Sequence, residues 1–256
     1  MESLGVAAAE KENMTQSDLQ SKVDSFKWYH EINVGQGIKT KPRDRYDVSW
    51  DLIRDGIASI DFRDKRVLDI GTRDGKYAFE AEKRGASVDA IDNDLSEGAL
   101  WLTQYFKSKV DFVKCNLNEF DAGTPYDVVL FFGVLYHLRY PMWGLRRVSK
   151  AVKDSGKLYI ETALVVGDDI DRLPMLYCPV RTSPYEQTSC SFLNLTGLNE
   201  TLWSFGCTVK SHKFHPSEHR GSSYPRVRRA WIEAEKTHDM PDGLQKYWES
   251  VHTSHD

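Results

Sequence analysis

Apolar and polar positions alternate in blocks through the middle of this chain, and the blocks switch between two periods. Val67-Leu68-Asp69-Ile70 predicts a strand over 66–70, followed by a helix over 76–84, a strand over 87–92, a helix over 95–106 and a strand over 110–114. From Tyr126 to Phe132 the chain runs Asp-Val-Val-Leu-Phe-Phe after the tyrosine, a continuous apolar stretch of the kind buried on both faces of a sheet. Pro141 opens a helix to about Val152, and a turn at Ser155-Gly156 leads into a strand over 157–162. Strand and helix in strict alternation predict a parallel sheet covered on both faces.

The flanks change this rhythm. Before the first strand, Tyr46, Trp50, Ile53, Ile57 and Ile60 recur at helical spacing and predict an amphipathic helix from Arg45 to about Ile60. Residues 163–190 carry Gly167, several aspartates and prolines at 174, 179 and 184, and are expected to form an insertion or lid. Asn194 is placed to cap a helix over 195–205 that stops at Gly206. Strands over 207–213 and 229–235, joined by a loop from His215 to Arg228, close the fold as an antiparallel pair. The expected organisation is a disordered tail over 1–22, a helical cap over 23–62, the main domain over 63–237 and a tail over 238–256. The fold class is α/β: a Rossmann-like, seven-stranded, mostly parallel sheet with helices on both faces and a C-terminal antiparallel hairpin.

Composition narrows the function classes. A chain of 256 residues with 40% hydrophobic and 28% charged content suits one globular domain with attachments. A net charge of −4 supplies no global attraction to nucleic acid. Cys115, Cys178, Cys190 and Cys207 form no Cys-x-x-Cys pair and are expected as free thiols, and with no signal peptide or membrane span in view the expected setting is cytoplasmic. His30, His212, His215 and His219 show no metal-ligand spacing, so no metal is expected.

The chemistry concentrates after the first strand. Gly71-Thr72-Arg73-Asp74-Gly75 is a turn that lets the backbone bend and approach a ligand ahead of a helix N-terminus. Asp92 follows at the end of the next strand, where it can hold ribose hydroxyls. Arg73 stands where a dinucleotide fingerprint has its second glycine, which counts against a nicotinamide or flavin enzyme and favours an adenosyl cofactor.

With these elements in order, the chain resembles a class I S-adenosylmethionine-dependent methyltransferase from about Phe26 to Lys236. Val-Leu-Asp-Ile-Gly-Thr-Arg-Asp-Gly (67–75) looks like motif I, Ala-Ile-Asp (90–92) like the ribose-binding acid, Lys-Cys-Asn-Leu (114–117) like the adenine-contacting strand end, and 126–138 like motif IV. The resemblance implies S-adenosylmethionine as cofactor, held by Asp69, Gly71, Arg73, Gly75, Asp92, Asn116, Leu117 and Phe132. A closer resemblance is to the bacterial tRNA wobble-uridine carboxymethyltransferases, carried by Gly-Val-Leu-Tyr-His (133–137), Glu-Thr-Ala-Leu-Val-Val-Gly-Asp (161–168) and Tyr-Pro-Arg-Val-Arg-Arg-Ala (224–230). It implies a cofactor contact for Tyr136 and, for Arg229, a meeting with the carboxylate of carboxy-S-adenosylmethionine.

The departures from that family are as informative. Its lysine before the residue matching Phe26 is absent from Val23-Asp24-Ser25, and a second lysine expected before Trp50-Asp51 is Ser49. Each missing charge-assisted bond is worth about 1.5–3 kcal/mol, so plain S-adenosylmethionine is the expected donor. The family's large N-terminal extension is also missing. A small-molecule acceptor offering an O, N or S nucleophile is therefore expected, as in secondary metabolism, with tRNA as the alternative partner and a homo-oligomer left open. Tyr136 and His137, just past the fourth strand of the alternating set, are the candidate catalytic residues, although His137 also suits a structural bond to a carbonyl. Arg220, Arg226, Arg228 and Arg229, with Lys39, Lys41, Arg43 and Arg45, form either a solvated surface or a grip for an acceptor's phosphate, carboxylate or RNA backbone.

Overall fold

The computed structural model describes residues 14–42, 49–179, 181–218 and 225–252. They form two compact units, one from the described residues up to 42 with 61–117 and the other from 49–60 with the described residues from 118 onward. A seven-stranded sheet has the order β10-β11-β7-β6-β3-β4-β5.

In the first unit, β3 (Arg66–Ile70), β4 (Ser87–Asp92) and β5 (Asp111–Lys114) run parallel, with Leu68 opposite Asp89 and Ile91 opposite Val113. The connections are the helices α3 (Lys76–Lys83) and α4 (Glu97–Phe106). α3 buries Tyr77, Ala78, Phe79 and Ala81 and leaves its charged residues outward, as its period of apolar positions demands. Ahead of the sheet lie α1 (Gln16–Asp24) and a small antiparallel ribbon, β1 (Asn33–Gly35) with β2 (Ile38–Lys39). Thr15 Oγ1 accepts from the Asp18 amide at 3.2 Å, and the Asp18 carboxylate accepts from the Thr15 amide at 3.3 Å, a reciprocal cap for α1. Trp28 anchors this segment, because a Cβ at Gly98 would lie 2.6 Å from its ring.

In the second unit, β6 (Tyr126–Phe132) pairs parallel with β7 (Val152–Val166), and β11 (Arg226–Lys236) pairs antiparallel with both β7 and β10 (Cys207–Glu218). α2 (Ser49–Ala58) lies against β11. The contact is backbone on ring, since a Cβ at Gly56 would come within 2.5 Å of the Trp231 indole. α5 (Pro141–Ala151) follows a single 3-10 turn, Leu135–His137. α6 (Leu195–Ser204) starts at Asn194, whose Oδ1 accepts from the Gly197 amide at 2.7 Å. A two-residue pair, β8 (Leu176–Tyr177) with β9 (Phe192–Leu193), braces the inserted segment.

The alternating core and the closing antiparallel pair match the sequence pattern, but β10 runs to Glu218 and β11 starts at Arg226, inside the expected loop, and four other boundaries differ. The predicted tail over 1–22 contains α1 from Gln16, because a capping box and the burial of Leu19 and Val23 support a helix that composition alone disguises. The cap over 23–62 is not wholly helical, since it includes the β1–β2 ribbon. The turn at Ser155-Gly156, with Ser155 at φ 59°, lies within β7 rather than ahead of it, since β7 pairs with β6 at Val152 and again from Lys157 and runs through Val166, so the insertion begins at Gly167. The tail over 238–256 contains α7 (Asp242–His252). The start of the helix expected at Arg45 lies outside the described residues, as do Arg43, His219 and Arg220.

Candidate functional site

The glycine turn is built from backbone bonds of the first unit. Gly71 and Thr72 both donate to the Ile91 carbonyl, at 2.8 and 3.2 Å, which locks the end of β3 to the end of β4. Gly71, Arg73 and Gly75 all take positive φ, at 79°, 52° and 81°. The strain at Arg73 is held by Asp92, whose Oδ2 accepts from the Arg73 amide at 2.8 Å while Oδ1 accepts from the Asp94 amide at 2.7 Å. The Arg73 guanidinium bonds the Asp94 carboxylate and, at 3.1 Å, the Asp94 carbonyl. Its observed work is bracing one loop against the other. A Cβ at Gly75 would stand 2.6 Å from the Phe112 ring and 2.8 Å from that of Phe79, which accounts for a glycine there without any ligand.

The polar groups at this turn fit an adenosyl cofactor. Asp69 is 2% exposed and its Oδ2 has no hydrogen-bond partner among the described residues, nor has the buried Thr72 Oγ1. Burial pushes the Asp69 carboxyl up to about 7. The Thr72 hydroxyl faces the Asp69 carboxyl and opposes that rise, and this buried polar pair beside a strand end is suited to a ligand's amino group. Each Asp92 oxygen accepts one amide and retains a second lone pair, suited to ribose hydroxyls. Leu117 is buried and Asn116 exposed just beyond β5.

Asp74, unremarked in the sequence, ties the N-terminal segment to this turn. Its Oδ2 accepts from the amides of Tyr29 and His30, the latter at 2.8 Å. His30 lies 3.8 Å away through Nδ1, but burial takes its pKa down to about 3, so the contact is not an ion pair.

The second unit carries the remaining candidates. Arg229, 3% exposed, donates Nε to Glu161 Oε1 at 2.6 Å and Nη2 to Oε2, while Nη1 donates to the hydroxyls of Tyr136 and Tyr185, each at 2.7 Å. Burial alone opposes the guanidinium charge, but the facing carboxylate outweighs it and holds the Arg229 pKa above its ordinary value. Burial likewise pushes the Tyr136 phenol well above its usual range, against the pull of Arg229. Tyr136 thus carries a neutral hydroxyl whose oxygen accepts from Arg229. Phe132 is buried, with its ring centroid 5.2 Å from that of Trp231.

His137 stands between two acceptors. Nδ1 is 3.2 Å from the Thr188 carbonyl and Nε2 is 3.2 Å from Glu186 Oε1. A neutral imidazole carries one N–H, so it donates to one of these two acceptors at a time, and the tautomer decides which. The same turn is gripped further, with the Cys190 amide donating to the Tyr136 carbonyl at 2.9 Å and Ser191 Oγ to the Leu138 carbonyl at 2.8 Å. These contacts join the 3-10 turn at His137 to the inserted segment, as a structural role for His137 requires.

The candidates thus fall into two groups, Asp69, Gly71, Arg73, Gly75, Asp92, Asn116 and Leu117 in the first unit and Phe132, Tyr136, His137 and Arg229 in the second. A sequence profile described as a methyltransferase domain matches residues 43–212. The chain belongs to this methyltransferase family. A tRNA U34 carboxymethyltransferase of Tolumonas auensis is 30% identical over 141 residues, which covers 52% of this chain and 42% of that protein. The curated relatives are matched over about half of their length or less. The N-terminal domain of EvdMO1, crystallised with SAH and D-fucose, has the same fold, with TM-score 0.62 at 16% identity over 87% of this chain and 97% of that one. A 1,6-didemethyltoxoflavin-N1-methyltransferase of Burkholderia thailandensis, with its acceptor and S-adenosylhomocysteine bound, gives 0.52 at 18% identity over 82% and 100%.

S-adenosylmethionine supplies such methyltransferases with an electrophilic methyl group on a sulfonium. In-line displacement there needs alignment and exclusion of water more than acid–base groups. The residues of this methyltransferase suit that division. Asp69 and Asp92 carry oxygens that could accept from a cofactor's amino group and ribose hydroxyls, and the buried Tyr136 hydroxyl is fixed by Arg229. The arginines named as an acceptor grip do other work where they are described, Arg228 donating Nη2 to the His215 carbonyl at 2.8 Å and stacking on Phe214. Among the described residues no cluster of three or more His, Cys, Asp or Glu is placed to hold a metal, and no helix is long and apolar enough to cross a membrane.

Sequence reasoning missed Glu161, Tyr185, Asp74 and Glu186. Glu161 had a readable signal, a lone carboxylate inside the apolar run Leu158-Tyr159-Ile160, which demands a buried cation. The other three are set by chain crossings that no local pattern records.

Proposed function

We propose that the chain transfers a methyl group from plain S-adenosylmethionine to an oxygen, nitrogen or sulfur nucleophile of a small molecule, in the cytoplasm. The observation that carries the donor assignment is the pairing of Arg229 with Glu161. The guanidinium is neutralised by a buried carboxylate and also bonded by two tyrosine hydroxyls, so it offers no uncompensated positive charge to an extra carboxylate on the donor. Asp24 and Ser49, at or beside the places where lysines were sought, add no cation.

Calorimetry with S-adenosylhomocysteine tests cofactor binding, with loss expected in Asp92→Ala. Titrating S-adenosylmethionine against its carboxylated form tests the donor. Tighter binding of the carboxylated form overturns this reading. Mass spectrometry of small molecules methylated in a cell extract then identifies the acceptor.

A second reading, modification of tRNA, is favoured by the matches to tRNA U34 carboxymethyltransferases at 27–31% identity. It requires saturable tRNA binding that weakens steeply with salt, and the absence of such binding in a filter assay removes it.

A further inference from the structure

Two residues beyond His137 the chain opens a second feature that none of the cofactor motifs uses. The first turn of α5 and the inserted strand β8 bound a cavity of about 640 Å³, inside the range occupied by small-molecule sites. Its walls are largely apolar, formed by Tyr140, Met142, Trp143 and Leu176. Tyr140 is 70% exposed and Leu176 37% exposed. Single exposed apolar side chains are ordinary, but these share one concave surface.

The wall is held stiffly. Trp143 Nε1 donates to the Asn118 carbonyl at 3.3 Å, and the Arg147 guanidinium lies 5.1 Å over the indole while donating Nη1 to the Phe120 carbonyl at 3.1 Å. Thr201 Oγ1 lies 3.6 Å from Met142 Sδ while donating its proton to the Gly197 carbonyl at 2.7 Å. An indole fixed in this way beside a polarizable thioether forms a preformed surface for a flat ring, at little ordering cost to the ligand. Arg139 stands at the same cavity and, unlike Arg229, has no ion-pair partner among the described residues.

We propose that this cavity binds a planar aromatic small molecule bearing a carboxylate or phosphate, with the ring against Trp143 and Tyr140 and the anion on Arg139. Ring contact and a charge-assisted bond together give both affinity and orientation. Binding itself stands apart from the methyl-transfer reading, and only the assignment of the bound molecule as acceptor rests on it.

The test uses the full chain and 2-naphthoate as probe, followed by calorimetry, with 2-naphthalenemethanol as the neutral comparator. The intact protein is expected to bind naphthoate saturably and more tightly than the alcohol. Arg139→Gln, at an exposed position, is expected to weaken naphthoate about tenfold and erase the preference over the alcohol. Leu176→Glu, also exposed, is expected to abolish binding by placing a like charge in the wall. No saturable binding, or affinities within about twofold of the intact protein in both variants, overturns the proposal. Displacement of naphthoate by a short oligouridylate that binds more tightly also overturns it, in favour of a nucleic-acid occupant. S-adenosylhomocysteine titrated into the same proteins separates the two readings, since its failure to bind removes methyl transfer and leaves the cavity result standing.

Discussion

Arg229 and Glu161 lie diagonally across neighbouring antiparallel strands, Arg229 opposite Ala163 and Glu161 opposite Trp231, and meet through paired N–H···O bonds at 3% and 0% side-chain exposure. A charge this deep persists only when matched, and here the match extends to the Tyr136 and Tyr185 hydroxyls. One network thus ties β7, β11, the 3-10 turn and the inserted segment together.

Breaking that pair from one side is expected to cost about 3–5 kcal/mol, because the surviving charge stays buried. Urea denaturation of Glu161→Gln, Arg229→Met and the double variant checks this. The double variant is expected to lose much less than the sum of the singles. Additive losses would mean that the two groups are not coupled.

Asp69 makes stability depend on pH in a direction opposite to that of a salt-bridged acid. Its folded-state pKa of about 7 lies above the ordinary 3.8, so the folded protein holds an extra proton between those values. Its contribution becomes progressively more unfavourable as pH rises from about 4 to about 7, then stays constant above. Asp69→Asn is expected to gain on the unmodified protein through that window and to keep the gain above it. Denaturation curves at several pH values measure the difference, and a gap that does not change with pH would remove the assignment.

His137 is expected to behave as a latch. His137→Ala and Glu186→Ala should both speed amide hydrogen exchange at Cys190 and Ser191, whose amides donate to the Tyr136 carbonyl at 2.9 and 3.3 Å. Turnover of His137→Ala should fall by less than the roughly 100-fold that a general base contributes at minimum. A larger fall confined to His137→Ala would restore the catalytic assignment.

Gly75→Ala combines a left-handed backbone at φ 81° with a Cβ 2.6 Å from Phe112. The backbone term is about 1–2 kcal/mol and the overpacking term about 1–3 kcal/mol. A lowered melting temperature is expected even without cofactor. Trimming the ring in Gly75→Ala/Phe112→Leu should recover part of it, and an unchanged melting temperature for the single variant would show that the ring yields freely.

The outline of this protein was legible because strand and helix periods are local. The runs 66–70, 87–92 and 126–132 each state their own burial, and the glycine turn and Asp92 declare themselves by position. The helices at both ends were missed, since α1 and α7 carry many polar residues and few apolar ones. Ser155-Gly156 has the composition of a turn, and only the pairing of β7 with β6 on both sides of it, Val152 with Tyr126 and Lys157 with Val128, places it inside one strand. Among the site residues, the sequence by itself determined which groups are present: the Asp69 and Asp92 carboxylates, the tyrosine and the arginine. What each group is free to do was decided by tertiary contacts, because free charge, lone pairs and exposure depend on neighbours distant in the chain. Glu161 neutralises Arg229 from 68 positions away, and Glu186, reached through an insertion with no regular pattern, stands 3.2 Å from Nε2 of His137.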